Sequence, residues 1–335
     1  MTPDPTHPNA ATDASPAGAD ARRRGLVVVT EHLAEEASDW LAKRFEVVHA
    51  PVTDARFAEV ASEVEALVVR TYTKVDAALL TGLPKLKVVG RAGVGIDNID
   101  VAACRARGVQ VVSTPDANTQ AVVEYVLCLL CDTLRPRLLL DAPVSKPEWD
   151  EIRQEVVGLW QMDELVLGIL GLGRIGRRVA EVARAIGFTV IYHDLAEIPE
   201  SARHGAESVT LSRLFAESDV LTIHIDGRPS NRRFVGAELL AQLRPDAILL
   251  NTARGCVIDT EALAAWLQEN PAGLACLDVH DPEPFTDASP LLGLPNAHLA
   301  PHLASRTMTA MDNMSWVVRD VEAVLAGRAP RFPAW

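Results

Sequence analysis

The chain has few cysteines, no long apolar run and a shortage of basic residues, and each lack excludes something. Its 335 residues include five cysteines, an odd number without framework spacing. That argues against a disulfide-stapled secreted scaffold, and reduced thiols in a cytosol are expected. Cys128 and Cys131 form a CxxC, but inside the apolar stretch YVLCLLC, where a place in a helical core is expected rather than a redox or zinc role. No apolar run approaches the roughly 20 residues that span a bilayer, so no membrane segment is expected. Lys and Arg number 32 against 45 Asp and Glu, for a net charge of −13. This balance argues against nucleic acid as a partner, and it obliges any anionic ligand to find a local basic pocket. Metal ligands are also short. His280 and His298 have no evident third partner, and Pro301 keeps His298 and His302 off a shared helical face, so no metal site is expected. Residues 1–25 are rich in Pro, Ala, Asp and Thr and hold no apolar core segment, which reads as a disordered tail and not a secretory signal.

What remains has the make-up of a globular protein, 48% hydrophobic and 23% charged, and is long enough for two domains. Short apolar runs at 26–30, 46–50, 66–70, 86–90 and 109–112 read as buried strands, with helical stretches between them such as 33–44 and 54–64. The scheme repeats at 165–170, 188–193, 220–224, 247–251 and 273–278, with a last short piece near 297–300. Such alternation implies parallel sheets with helices on both faces, hence an α/β protein of two tandem doubly wound units. A long apolar helix over 118–134 is a candidate link between them. A second long helix, 308–325, follows the second unit and is expected to cross back to the first. The expected ligand site is the cleft between the units.

The most informative run is VLGILGLGRIGRRVAEVARAIGFTVIYHD, residues 166–194. A strand enters a turn with glycines at Gly171, Gly173 and Gly176, a helix follows, and a second strand ends at Asp194. Gly171 permits the tight turn, Gly173 lets a pyrophosphate reach the backbone, and Gly176 lets helix and strand lie close. The helix N-terminus offers free N–H groups to phosphates. Asp194, 18 residues past Gly176, suits a ribose diol and repels a 2′-phosphate, which favours NAD over NADP.

Three later strands end in polar, reactive residues, where ligands of open α/β sheets bind. ILLNTARG places Arg254 past a strand; LDVHDPEP places Asp278 at a strand end and Glu283 in the loop; LAPH places His302 after Pro301. The planar fork of an arginine suits a carboxylate, and a histidine oriented by a carboxylate is the usual proton-transfer pair. Taken singly, each has an ordinary structural explanation. Together, after a dinucleotide turn, they suit hydride transfer between a hydroxy acid and a keto acid.

These segments, with VVGRAGVGIDNID (88–100) and STPDANTQAVVEYVL (113–127), resemble the D-isomer-specific 2-hydroxyacid dehydrogenase family over residues 26–327. Within it the chain is most similar to the phosphoglycerate dehydrogenase branch, through VVRTYTKV (68–75) and GRAGVG (90–95). The resemblance implies a Rossmann-type nucleotide domain (118–302), a flavodoxin-like substrate domain (26–117 and 303–335), NAD as cofactor, and a homodimer in the cytoplasm. It implies that Arg254 binds the substrate carboxylate and polarises the C2 oxygen. His302 would be the acid/base, and Glu283 would orient it and favour its protonated form. Cofactor contacts would come from Gly171, Gly173, Arg174, Ile175, Gly176, Asp194, His224, Thr252 and Ala253, with Asp278 on the nicotinamide carboxamide. The loop Ala92, Gly93, Val94 and Gly95 would offer N–H groups to the carboxylate, and Arg70 and Arg91 would hold a distal phosphate. Glyoxylate, hydroxypyruvate or a phosphonate analogue is an alternative substrate, and an NAD-sensing binding protein is the alternative from another class. The chain departs from the family's usual sequence at Cys256, in IDGRPSNRR after the strand 220–224, over 136–164 and in PHLASRT. No regulatory domain is expected after Gly327.

Overall fold

The computed structural model describes residues 25–135 and 137–335; apart from Gly25, the tail expected over residues 1–25 lies outside them. The first sheet holds β1 (Leu26–Val29), β2 (Glu46–His49), β3 (Val64–Val69), β4 (Val88–Arg91) and β5 (Gln110–Val112), in the order β2-β1-β3-β4-β5. The second holds β6 (Val166–Leu170), β7 (Thr189–His193), β8 (Glu207–Ser208), β9 (Val220–Ile223), β10 (Ile248–Asn251), β11 (Leu274–Leu277) and β12 (Ala297–Leu299), in the order β12-β11-β10-β9-β6-β7-β8. Every pairing of named strands is parallel. The first order is that of flavodoxin-like sheets. The second is the dinucleotide-binding order with one further strand at its edge.

Continuous apolar runs become strands here because both faces of each sheet are covered. In β1, Val27 and Val29 enter one core while Leu26 and Val28 enter the other. In β6, Leu167 and Ile169 face one core and Leu170 the opposite one. β2 departs from the expected buried strand: it is a sheet edge, with Glu46 and His49 exposed.

The link helix spans Thr119–Leu134 and buries Val122, Val123, Val126, Leu130 and Leu134 in the core of the second sheet. The same stripe corrects the reading of its cysteines. Cys128 is exposed and Cys131 only half-buried, because positions 128 and 131 fall on the helix's outer side.

The expected C-terminal helix is two helices, Met308–Ser315 and Val318–Leu325. The chain turns at Trp316, whose ring stands edge-on to Trp40 with centroids 6.2 Å apart. The second helix does return to the first sheet. A Cβ on Gly90 would lie 2.5 Å from Val321 Cγ2, so only glycine lets this helix sit on β4. Pro333 then bridges Val112, and the Ala334 amide donates to the Val111 carbonyl at 2.9 Å, closing the edge of β5. No helix among the described residues is long and apolar enough to cross a membrane.

Candidate active site

The dinucleotide turn has the geometry its glycines require. Gly171 has φ +94°, and a Cβ there would lie 2.7 Å from Ile225 Cγ2. A Cβ on Gly176 would lie 2.2 Å from the Gly171 carbonyl oxygen, so a side chain would push the helix Arg174–Ala185 off the turn. Around Gly173, by contrast, nothing lies within 4 Å of where a Cβ would be. The backbone there is open at a helix N-terminus, the geometry a pyrophosphate needs. Arg174 opens that helix and faces Asp116 at 3.3 Å, and the half-buried Ile175 packs against the core.

Asp194, just past β7, accepts N–H bonds from Leu172 at 2.7 Å and Ala196 at 2.8 Å. It thereby joins the glycine turn to the end of the neighbouring strand and keeps lone pairs for a ligand hydroxyl. Across the switch point between β6 and β9, His224 donates its backbone N–H to the Leu170 carbonyl at 2.8 Å. His224 is half-buried, and burial pushes its pKa down to about 4. The imidazole, whose Nε2 meets Thr222 Oγ1 at 3.0 Å, is therefore neutral at physiological pH. Buried Thr252 Oγ1, Thr114 Oγ1 and Asn118 Oδ1 have no hydrogen-bond partner. Buried polar atoms left unpaired are costly, so a ligand polar group that reached any of them would be stabilising. These features fit a dinucleotide.

The three candidate catalytic residues come from the carboxyl ends of β10, β11 and β12, which lie side by side. Asn251 shapes the first loop: its Nδ2 donates to the Arg254 carbonyl at 3.0 Å and its Oδ1 accepts from the Ala253 amide at 3.0 Å. Gly255 then presses on the next loop, where a Cβ would lie 2.0 Å from the His280 carbonyl carbon. In that loop Glu283 Oε1 accepts the His280 amide at 2.9 Å, and its Oε2 meets His302 Nδ1 at 2.8 Å. Burial raises the Glu283 pKa, but the bonds from His302 and His280 outweigh it and hold the carboxyl below its usual value. Glu283 is thus a carboxylate at neutral pH.

His302 has φ +54°, a left-handed backbone that non-glycine residues rarely adopt. Asp278 holds it there. The Asp278 carbonyl accepts the His302 amide at 2.8 Å, and its carboxylate accepts the Leu303 amide at 2.6 Å and the Ala304 amide at 2.8 Å. Burial raises the Asp278 pKa, the two amides lowering it in opposition. Asp278 is therefore engaged first with the backbone that carries His302, a task its place at a strand end did not reveal.

The first sheet supplies the opposite wall. Arg254 Nε donates to Asp97 Oδ2 at 2.7 Å, an ion pair between the loop after β10 and the loop after β4. A Cβ on Gly95 would lie 1.6 Å from Arg254 Nη2, and one on Gly93 would lie 1.7 Å from Arg91 Nη1. The loop Ala92–Gly95 thus carries two guanidiniums on its glycines. Arg91 is largely buried, and that burial, helped by the like charges of Arg254 and Arg70, lowers its pKa to about 10. Arg70 leaves β3 on a loop organised by Glu31, whose carboxylate takes the amides of Arg70, Thr71, Tyr72 and Thr73. Sequence reading missed Asp97 and Glu31. Asp97 lay within the glycine-rich GVGID, where an acid beside an expected anion loop was a usable signal.

Such a fold and such a crevice are those of a two-domain, dinucleotide-dependent oxidoreductase. Residues 127–304 match the family described as D-isomer specific 2-hydroxyacid dehydrogenase, NAD binding domain. A glyoxylate reductase of Aeropyrum pernix is 34% identical over 319 residues, 92% of this chain and 95% of that one. A D-3-phosphoglycerate dehydrogenase of Mycobacterium tuberculosis is 37% identical over 306 residues, 90% of this chain and 57% of that one. The chain spans little more than half the length of the phosphoglycerate dehydrogenases it matches. Among solved structures, an NADPH-dependent glyoxylate/hydroxypyruvate reductase from Sinorhizobium meliloti, in complex with NADP and malonate, superposes with a TM-score of 0.78. It is 27% identical and is covered to 97%, against 93% of this chain. The protein belongs to the D-isomer specific 2-hydroxyacid dehydrogenase family.

Proposed function

We propose that this chain transfers hydride between NAD and C2 of a D-2-hydroxy acid or its 2-keto acid, and that the acid carries a distal anion, as 3-phosphoglycerate does. The observation that carries the reading is the 2.8 Å Glu283–His302 pair beside the Arg254 loop, at the carboxyl ends of three adjacent strands. In this reading the dinucleotide domain is residues 118–302, and residues 26–117 with 303–335 form the substrate domain. The pyridine nucleotide, when bound, supplies the hydride acceptor or donor. All other steps fall to side chains. Arg254 binds the carboxylate and draws electron density from the C2 oxygen. His302 takes the hydroxyl proton at Nε2 in oxidation and returns it in reduction, while Glu283 fixes the ring through Nδ1. Ala92, Gly93, Val94 and Gly95 add backbone N–H groups, and cleft closure excludes water. An absorbance assay at the NADH band, run with 2-keto acids with and without a terminal phosphate, tests the reading. Silence on every acid would end it.

A second substrate reading, glyoxylate or hydroxypyruvate, is favoured by the near full-length match to the Aeropyrum pernix protein. The same panel separates the two. A binding protein that only senses NAD would have no use for the intact Arg254, Glu283 and His302.

NAD is preferred to NADP because the Asp194 carboxylate opposes a 2′-phosphate and is pinned by two amides where a ribose would lie. Asp194→Ala is expected to weaken NAD about tenfold while NADP binding improves or holds. Fluorescence titration with both reduced cofactors measures this, and a parallel loss for the two would remove the case for discrimination.

The reading places the protein in the cytoplasm, in keeping with five free thiols, and makes it a homodimer. Between Leu138 and Trp160 eight large apolar side chains are exposed, and the helix Lys146–Glu155 within this stretch buries none of its residues. An apolar surface of that kind on the nucleotide domain needs a cover, and a second copy offers the same surface in return. Light scattering is expected to give twice the chain mass and to fall toward the monomer in Leu139→Glu with Trp160→Glu. A monomeric native protein would exclude the dimer.

A further inference from the structure

Three guanidiniums beside the cleft have no carboxylate partner among the described residues. Arg70 donates to neutral acceptors, the His32 carbonyl at 3.3 Å and the Met311 sulfur at 3.0 Å. Arg91 donates to the Ala92 carbonyl at 2.7 Å, and its buried Nε has no partner. Arg306 is exposed, and among the described residues its side chain takes part in no hydrogen bond or ion pair. Elsewhere arginines do find carboxylates, as Arg213 finds Glu207 and Glu217, and Arg233 finds Asp259. Carboxylates outnumber bases 45 to 32, so unpaired arginines are not forced by composition. Glu31, a carboxylate whose charge reaches Arg70, is occupied by four backbone amides.

These cations neighbour one another and Arg254, which is itself paired with Asp97. Arg91 lies on Gly93 and Arg254 on Gly95 of one loop. Arg91 also senses the charges of Arg254 and Arg70, and Arg70 senses that of Arg306. Arg254 and Arg91 thus share one loop, and Arg70 is tied to the helix that begins two residues past Arg306. Arg306 stands four residues past His302, in a turn where its amide donates to the Leu303 carbonyl at 2.8 Å. The helix Met308–Ser315 follows at once and supplies the Met311 sulfur that holds Arg70.

From this arrangement we infer that Arg306 is a substrate-binding residue that joins Arg70 and Arg91 in clamping a terminal phosphate on the 2-hydroxy acid. The inference rests on the distal-anion reading above and adds a residue which that reading did not contain. A phosphate dianion supplies the charge the three guanidiniums lack, and each can offer it charge-assisted bonds. Arg70 and Arg91 extend from the first sheet, whereas Arg306 shares the loop of His302. Phosphate held by all three braces the segment that follows the acid/base residue against the first sheet.

The test compares 3-phosphohydroxypyruvate, hydroxypyruvate and 2-oxoglutarate as substrates with NADH in the native enzyme, Arg306→Ala, Arg306→Lys and Arg70→Ala. In Arg306→Ala the ratio of KM for the phosphorylated acid to KM for hydroxypyruvate is expected to rise about tenfold, with part of the rise reversed in Arg306→Lys. Arg306 is exposed and unpaired, so its variants are expected to melt with the native protein. If Arg70→Ala shifts the ratio and Arg306→Ala does not, the distal-anion reading survives and the role of Arg306 is lost. If neither shifts it, the distal anion itself falls, and the inference with it. An equal loss on both acids in Arg306→Ala would make Arg306 a support of the His302 loop and overturn the inference. A loss as large for 2-oxoglutarate as for the phosphorylated acid would overturn the assignment to phosphate.

Discussion

His302→Ala is expected to lower turnover by about 10²–10⁴-fold while NAD affinity stays within about twofold. His302 Nδ1 is engaged by Glu283 at 2.8 Å, which leaves Nε2 to carry the proton. The side chain is 38% exposed, so its Nε2 can reach a ligand in the cleft. The main chain at 302–304 is held by Asp278 through three amides, and none of these bonds involves the imidazole. The loop should therefore keep its shape in the variant, and loss of activity would report chemistry rather than unfolding. Steady-state kinetics together with a cofactor titration separate the two. A variant that retains a tenth or more of native turnover would show that another group moves the proton. Glu283→Gln is the companion experiment: the bond to His302 can persist, but the fixed negative charge is gone, so the pH profile of kcat should move while cofactor binding does not.

Much of this geometry was legible in the sequence because parallel strands covered on both faces must be written as short unbroken apolar runs. Eleven of the twelve strands are read from such runs, although β2, at a sheet edge, is not buried as its run implies. β8 does not, since Glu207 and Ser208 are two exposed residues with no periodic signal. The break at Trp316 was equally silent. Both flanking helices bury apolar side chains, no glycine or proline stands at the joint, and an aromatic contact with Trp40 forms only in the folded chain. At the site, the local devices could be read: glycines spaced for a turn, an acid at a strand end, a histidine after a proline. What could not be read were pairings made across the fold. Asp97 is 157 positions from Arg254, and Glu31 is 39 from Arg70. No spacing rule brings either pair together; the topology of two sheets does. Asp278 shows a third limit, because the sequence marks it as a strand-end acid but not the direction in which it spends its lone pairs.

Arg254→Ala is expected to lower kcat/KM by about 10²–10³-fold, through a raised KM and a reduced kcat. Arg254 is the one candidate catalytic residue bound to both walls of the cleft. Its Nε is committed to Asp97 at 2.7 Å and its Nη1 to the Ala253 carbonyl at 2.6 Å, while Nη2 lies against Gly95. The fork is therefore aimed before substrate arrives, and little orientational freedom is left to lose on binding. Arg254→Lys keeps the charge but cannot meet Asp97 and a carboxylate in one plane, so most of the loss should remain. Asp97→Asn separates aim from charge. The guanidinium survives, its anchor is weakened, and kcat should fall more than KM rises, since a loosely held fork still attracts an anion but polarises the C2 oxygen poorly. If Arg254→Lys restores near-native kcat/KM, the site needs only a positive charge and the planar geometry is incidental. If Asp97→Asn leaves both constants unchanged, the 2.7 Å contact links the walls without directing the chemistry.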